Sequence, residues 1–462
     1  MIFEQFYLEC LSQASYLVGD EKTGRAVVID PRRDVQQYLD SAREHGLSIE
    51  LVLETHFHAD FLSGHLEIAK ATGAKIGYGS IASPKFETKL FADGERYSLG
   101  DVTLEIRHTP GHTPESISVV VYEHASDTNP YGVLTGDTLF IGDVGRPDLL
   151  VSIGKTSHEM GHLLFASLRD KLLTLPDSTR VFPAHGAGSA CGKNLSTETM
   201  STIGEQRQTN YALQFTNIDH FIDVVTEGQP PAPGYFIYDA TLNSQDRPVL
   251  DELELPTQLS IDEAIKLSCN GTVIIDTRDP QLFAAGHIVG SINVGFAGRY
   301  AEYAGAVVTP HDDIVIVTEG GHELEAKIRL ARIGYDRVVG WCNVADLEKS
   351  PLSVRQGSRL TAKEFVQRRG TVVGLQVVDV RNEGEFKLGF VSGAQNIPVV
   401  QLPNRLIELD ASRPTVVYCA GGYRSSIASS LLKRAGFVDV SDVLGGFESI
   451  LLAEVSEGLK AT

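Results

Sequence analysis

The chain has 462 residues, 40 Lys and Arg against 60 Asp and Glu, and a formal charge of −20 before its 14 His are counted. At roughly 100–200 residues per domain that length predicts about three domains, and 42% hydrophobic with 22% charged residues is an ordinary globular composition. The acid surplus excludes a nucleic-acid or anionic-membrane surface, which it would repel, and apolar runs such as Val119–Val121 fall far short of the ~20 residues of a membrane span.

In chain order, the opening Met1-Ile-Phe-Glu-Gln-Phe-Tyr-Leu-Glu9 carries acids where a secretory leader has a basic region. Arg25-Ala-Val-Val-Ile-Asp30 reads as an apolar strand. Asp34 is expected to cap a helix with Val35, Tyr38, Leu39 and Ala42 on one face, and Gly46 to end it. Leu51-Val-Leu53 is a second strand that runs into Thr55-His56-Phe57-His58-Ala59-Asp60. Strands follow over Val102–Ile106, Ile117–Tyr122 and Gly132–Leu134, then helices over His158–Lys171 and Ser196–Thr226. Gly228-Gln-Pro-Pro-Ala-Pro-Gly234 cannot continue a helix and opens a linker. Another break lies at Ser350–Gly357. The reading is a domain over 1–228, a linker over 229–256, and domains over 257–350 and 358–462.

The last two domains repeat one another. Val273-Ile-Ile-Asp276-Thr-Arg278 matches Val377-Val-Asp379-Val-Arg381, and Gly286–Asn293 matches Gly389–Asn396, both at an offset of 103 residues. Ile316–Gly321 matches Val417–Gly422 at an offset of 101. Each repeat alternates strands and helices, which implies a small α/β domain with a largely parallel sheet.

Histidines and aspartates gather at strand ends: His56, His58, Asp60, His112, Asp137 and His185. Glycine or proline beside most of them makes tight turns that aim side chains at one point. Imidazole with carboxylate and no thiolate suits Zn, Fe or Mn at a working site. These motifs resemble the metallo-β-lactamase superfamily, an αββα sandwich, over about residues 1–225. That family's H-x-H-x-D-H is broken here, because Phe61 follows Asp60. The missing histidine normally holds a second metal with the residues matching Asp60 and His185, so the resemblance implies one metal. His56, His112 and Asp137 would form a two-histidine, one-carboxylate face for a single Fe(II), with His58, Asp60 and His185 as surrounding or weak ligands. Gly142-Asp-Val-Gly-Arg146-Pro-Asp148 resembles a segment of the persulfide dioxygenase branch. Arg146 would then hold a substrate carboxylate, or simply pair with Asp148.

Five cysteines are scattered without C-x-x-C spacing, which fits a reducing, cytoplasmic setting. Cys419 ends a strand and opens Ala420-Gly421-Gly422-Tyr423-Arg424-Ser425 ahead of a helix. Inward N–H groups, the helix dipole and Arg424 favour a thiolate there, with Gly421, Gly422, Tyr423 and Ser425 lining an anion cradle. The loop resembles the rhodanese loop C-x-x-G-x-R, and Asp379 and Arg381 match an earlier motif of that family. Its C-x4-R spacing suits a terminal sulfur, so a persulfide on Cys419 is the expected carrier. The middle repeat resembles the same family with Thr318 in place of the cysteine and Glu323 in place of the arginine, and reads as inactive.

The whole resembles fusions of a persulfide dioxygenase with an inactive and an active rhodanese domain. That implies oxidation of a thiol persulfide of glutathione or coenzyme A type by dioxygen to sulfite and thiol, and sulfur transfer that forms or consumes thiosulfate. A homo-oligomer is left open. The competing readings are a zinc thioesterase of the glyoxalase II type fused to sulfurtransferase domains, and a sulfur-binding module without catalysis.

Overall fold

Alternate residues decide how the first strands pack: Val27 and Ile29 face one way, Val28 the other, and all three are fully buried. The computed structural model describes residues 1–149, 154–229, 232–350 and 353–456. They form two units, Met1–Ala232 with Phe236–Asp251, and Pro233–Tyr235 with Glu252–Thr462.

In the first unit, strands β1 (Ile2–Leu8), β2 (Gln13–Asp20), β3 (Arg25–Ile29), β4 (Ser48–Leu53), β5 (Lys75–Gly79) and β6 (Lys89–Phe91) pair in sequence order. A second six-stranded sheet runs from Ser201–Thr202 through Arg180–Pro183, Gly132–Gly136, Ile117–Tyr122 and Thr103–His108 to Arg96–Ser98. Between the sheets lie Val27, Ile29, Leu51 and Leu53 from one and Leu104, Ile106, Val119, Val121 and Leu134 from the other. The alternate residues pack outward: Val28 and Val52 against Tyr38, Ala42 and Ile68 of two helices, and Val120 and Val133 against Leu164, Phe221 and Ile222 of two more. Each such Val or Leu contributes about 1.5–3 kcal/mol by leaving water. The layers are therefore helix, sheet, sheet, helix.

Three expectations need correction. The helix Gln36–Glu44 has Val35 at its N-cap with no side-chain cap bond, and the Asp34 carboxylate accepts from Arg32 Nε at 3.0 Å. The Ser196–Thr226 stretch is helical only in pieces, Ile203–Thr209, Tyr211–Gln214 and Ile218–Thr226, after the short strand Ser201–Thr202. The expected linker is not one. It contains the helix Phe236–Asn243, whose Phe236, Asp239 and Asn243 are buried, and Phe236–Asp251 belongs to the first unit.

The second unit holds two parallel sheets. One orders Ile292–Asn293, Val273–Asp276, Ile314–Thr318 and Val338–Asn343. The other orders Ser358–Leu360, Val440–Val443, Thr415–Tyr418, Gln376–Asp379 and Gln395–Asn396. Helices covering both faces make the central strands continuous apolar runs. Both repeats open with the same capped helix: Ser260 with Glu263, and Thr361 with Glu364, form reciprocal capping boxes.

Candidate metal centre and sulfur loop

Three strand ends bring His56, His112 and Asp137 together. All are buried, and their ligand atoms lie within 4.8 Å of one another. His56 follows β4, His112 stands in the loop between Thr103–His108 and Ile117–Tyr122, and Asp137 follows the strand Gly132–Gly136. The close approach requires glycine twice. Gly136 has φ 51° and a Cβ there would sit 2.7 Å from Thr55 Oγ1, while a Cβ on Gly145 would meet the Asp137 carbonyl at 1.8 Å.

Hydrogen bonds choose which atoms face the centre. Thr55 Oγ1 donates to Asp30 Oδ2 at 2.9 Å, so His56 Nδ1–H donates to Thr55 Oγ1, also at 2.9 Å. His112 Nδ1–H donates to the Arg146 carbonyl at 3.1 Å. Both Nε2 atoms are thereby left as lone-pair donors. His185 Nδ1–H donates to Asp137 Oδ1 at 2.7 Å, leaving Oδ2 at 3.4 Å from His112 Nε2 and 3.9 Å from His56 Nε2. Among the described residues, His56 Nε2 and Asp137 Oδ2 have no hydrogen-bond partner although both are buried. Burial alone would raise the Asp137 carboxyl, but His185, His112 and His56 hold it well below the carboxylate range.

The neighbouring residues divide into two further groups. His58 lies between Asp30 and Glu54, its Nε2 3.0 Å from Asp30 Oδ1 and 3.4 Å from Glu54 Oε2. Burial works against its charge, yet the two acids push its pKa up to about 10. Asp60 and His185 stand with Cys191, His185 Nε2 being 2.7 Å from Asp60 Oδ2. Phe61 is fully buried against the His58 ring, 4.4 Å between centroids.

Arg146 does not present a free guanidinium. Its Nε and Nη2 each donate to Asp148 at 2.7 Å, and Nη1 to the Ala190 carbonyl at 3.2 Å, so the guanidinium is engaged in the ion pair that the sequence offered beside a substrate carboxylate. Its backbone carbonyl is what touches the site, through His112.

Sequence reasoning missed Asp30, Glu54 and Asn243. Asp30 has φ 50°, rare outside glycine, and accepts from both Thr55 N and Thr55 Oγ1. Its place at the end of β3, mirroring His56 after β4, was the available signal. Asn243 Nδ2 donates to the His58 and Phe61 carbonyls at 2.8 Å, and its Oδ1 accepts from Ser63 N at 2.9 Å. Nothing in its local sequence marks it.

In the second unit, Cys419 follows the strand Thr415–Tyr418 and is 1% exposed. Gly422, with φ 108°, donates its N–H to Sγ at 3.1 Å. Ser425 Oγ lies 3.5 Å from Sγ and 3.3 Å from Asp442 Oδ2. Tyr423 opens the helix Tyr423–Arg434 and its hydroxyl donates to the Gly295 carbonyl of the preceding repeat at 2.7 Å. A Cβ on Gly421 would meet nothing within 4 Å, so the loop is open on that side. Arg424 is held by an acid: Nη1 and Nη2 donate to Glu385 at 2.6 and 2.7 Å.

In the middle repeat, Thr318 ends the strand that matches Thr415–Tyr418, and Gly321 N–H donates to Glu323 Oε2 at 2.7 Å. A carboxylate thus occupies the donor corresponding to the one that faces sulfur at Cys419. A cavity of about 590 Å³ beside this loop is lined by Phe296, Thr318, Glu319, His322 and Tyr423, among others.

Comparison with known proteins places two families along the chain. The metallo-beta-lactamase superfamily model matches residues 8–185, and the rhodanese-like domain model matches 260–348 and again 361–453. The chain is 29% identical over 225 residues to the mitochondrial persulfide dioxygenase ETHE1 of Homo sapiens, 47% of this chain and 78% of that one. It is 35% identical over 183 residues to a cytoplasmic hydroxyacylglutathione hydrolase of Arabidopsis thaliana, 39% of this chain and 66% of that one. Its match to a beta-lactamase hydrolase-like protein of Agrobacterium fabrum, 31% identical over 45% of this chain, spans only 51% of that relative. A solved metallo-beta-lactamase from Staphylococcus aureus is similar at TM-score 0.68 and 33% identity, over 74% of this chain and 99% of that one.

Proposed function

Since the chain belongs to the metallo-beta-lactamase superfamily and carries two rhodanese-like domains after that unit, we propose that it oxidises a low-molecular-weight thiol persulfide with dioxygen at a ferrous centre and moves sulfane sulfur on Cys419. The observation that carries this reading is the pair of buried, partnerless atoms His56 Nε2 and Asp137 Oδ2, converging with His112 Nε2. Leaving such atoms without a partner costs about 1–3 kcal/mol each, and a divalent cation offsets it. The donor set, two imidazoles and one carboxylate, suits Fe(II). Bound there, the metal would supply positions where the persulfide sulfur and dioxygen meet.

The chain's own residues then have defined work. His56, His112 and Asp137 would hold the metal, while Thr55 and the Arg146 carbonyl fix the two imidazole tautomers. His185 holds Asp137 in one orientation and links it to Asp60. Phe61 replaces the histidine a second metal would need, which weighs against a dinuclear hydrolase. The reaction RSSH + O2 + H2O gives RSH, sulfite and two protons.

At the second site the Cys419 thiolate attacks the outer sulfur of a persulfide. The Sγ–S bond forms, the donor's S–S bond breaks, and the donor thiolate leaves with the electron pair. Transfer of that sulfur to sulfite yields thiosulfate, and the same steps run backwards consume it. Tethering both sites in one chain raises the effective concentration of a reactive product at the second.

Oxygen uptake by iron-loaded protein with glutathione and coenzyme A persulfides tests the first activity, with His112→Ala as the dead control. The similarity to hydroxyacylglutathione hydrolase keeps a zinc thioesterase as the second reading. Thioester hydrolysis with two zinc ions bound and no oxygen uptake would establish it instead. Full sulfur transfer by Cys419→Ser would remove Cys419 as carrier.

A further inference from the structure

Three guanidiniums beside the sulfur loop are paired with carboxylates. Arg424 gives both terminal nitrogens to Glu385, at 2.6 and 2.7 Å. Arg359, whose Nη2 would stand 3.1 Å from a Cβ on Gly422, is bound to Asp442 through Nε at 3.0 Å and Nη2 at 2.9 Å. Arg381 is bound to Asp379 at 2.6 Å and to the Gly389 carbonyl at 2.7 Å. The Arg424–Glu385 pair is largely shielded, with side chains 15% and 35% exposed, so its charges act on each other more than on solvent. Glu385 is held in place by a second contact, accepting from Asn382 N at 3.0 Å as the third residue of a short helix. Among the described residues, the Gly422 N–H, 3.1 Å from Sγ, and the start of the helix Tyr423–Arg434 face Cys419 without a carboxylate partner of their own.

The middle repeat shows the pair lost as a unit. At the offset of 103, Leu282 stands where Glu385 does; at 101, Glu323 stands where Arg424 does. With no arginine to neutralise, the acid is gone too.

We propose that Glu385 is a positioning residue that sets donor choice at Cys419: by occupying Arg424 it neutralises the loop's own arginine, favouring a persulfide whose reacting group bears one charge over the thiosulfate dianion. This rests on the sulfur-carrier reading of Cys419. Both reactions balance in the same way. Thiolate plus RSS⁻ gives the enzyme persulfide and RS⁻, and thiolate plus S2O3²⁻ gives the same persulfide and SO3²⁻. Two negative charges meet in the first and three in the second. A free arginine would lower the barrier of the second more, and specificity is that difference.

The test compares kcat/KM for the persulfide of a neutral thiol, 2-mercaptoethanol, and for thiosulfate in wild type and Glu385→Gln. Glutamine keeps the capping bond and removes the charge. The ratio of thiosulfate to persulfide is expected to rise at least tenfold in the variant. Rising ionic strength is expected to lift thiosulfate turnover more in wild type than in the variant, because screening relieves the repulsion. Glu385→Ala, checked for folding by near-UV circular dichroism, is expected to shift the ratio the same way. A ratio changed by less than twofold in either folded variant, or equal salt slopes, overturns the assignment. Cys419→Ser run alongside separates the two ideas. If transfer survives there, the carrier reading fails; if it is lost while the Glu385→Gln ratio stays put, only the role of Glu385 falls.

Discussion

His185 Nδ1 donates to Asp137 Oδ1 at 2.7 Å, and that single bond decides which carboxylate oxygen is left to face His56 and His112. Without it Asp137 would rotate, and either oxygen, or both, would turn inward. His185→Ala is therefore expected to weaken metal binding 10–100-fold, the usual effect of removing a partner that orients a ligand. Competition with a chromogenic chelator measures this directly, and unchanged affinity would show that packing alone holds Asp137.

Phe61 offers a gain-of-ligand experiment. It is fully buried one residue after Asp60, and Asp60 already faces His185 at 2.7 Å. Phe61→His is expected to raise bound metal from one to two ions per chain, read by elemental analysis, and to cut persulfide-dependent oxygen uptake at least tenfold. A variant that folds and still holds one metal would mean that the surrounding groups, not Phe61, exclude the second.

Asn243 pins the loop that carries His56, His58 and Asp60 from behind. Asn243→Ala would strip partners from the His58 and Phe61 carbonyls and from Ser63 N, all buried. The expected cost is about 3 kcal/mol in denaturant unfolding, together with a loss of metal affinity that Asn243→Asp only partly restores. Stability lost with metal affinity intact would assign Asn243 to the fold alone.

A buried triad predicts acid sensitivity. Glu67 accepts from Arg33 Nε at 2.8 Å, Arg247 Nη1 at 2.7 Å and Leu250 N at 3.0 Å. Burial would raise its pKa, but Arg247 and Arg33 outweigh burial and hold it below its ordinary 4.5. A carboxylate depressed in the folded state stabilises above its unfolded pKa, and the gain is lost as pH falls through the folded value. Glu67→Gln is expected to cost about 3–5 kcal/mol at pH 7 by removing the charge that Arg33 and Arg247 share. The gap from wild type should close as pH falls below about 4.5; a gap that persists there would contradict the charge argument.

The legible parts of the site were those that sequence periodicity places. His56, His112 and Asp137 each follow a strand, and a strand end is recognisable from apolar residues stopping at a polar turn. The two repeats were legible because their strands are buried on both faces and keep continuous apolar runs. Asn243 was not, since its partners lie about 180 residues away and an asparagine after Phe236-Ile-Tyr-Asp-Ala-Thr-Leu carries no period of its own. The Pro-rich break at Gly228–Gly234 hid the helix behind it, because proline punctuates a chain without saying which side the following segment packs on. Asp34 lost its capping role to a nearer partner, Arg32. Arg146 could not be assigned from sequence, because a guanidinium two residues from an acid serves a ligand or that acid equally well until geometry chooses.

The Glu323 carboxylate bound to Gly321 N–H has a consequence for the history of the middle repeat. Restoring a thiol by Thr318→Cys would place sulfur beside a peptide group already committed elsewhere, next to a fixed negative charge. Reversal would need at least two coordinated changes, neither useful by itself. Such an interlock would keep sulfur out of this loop even after a single substitution.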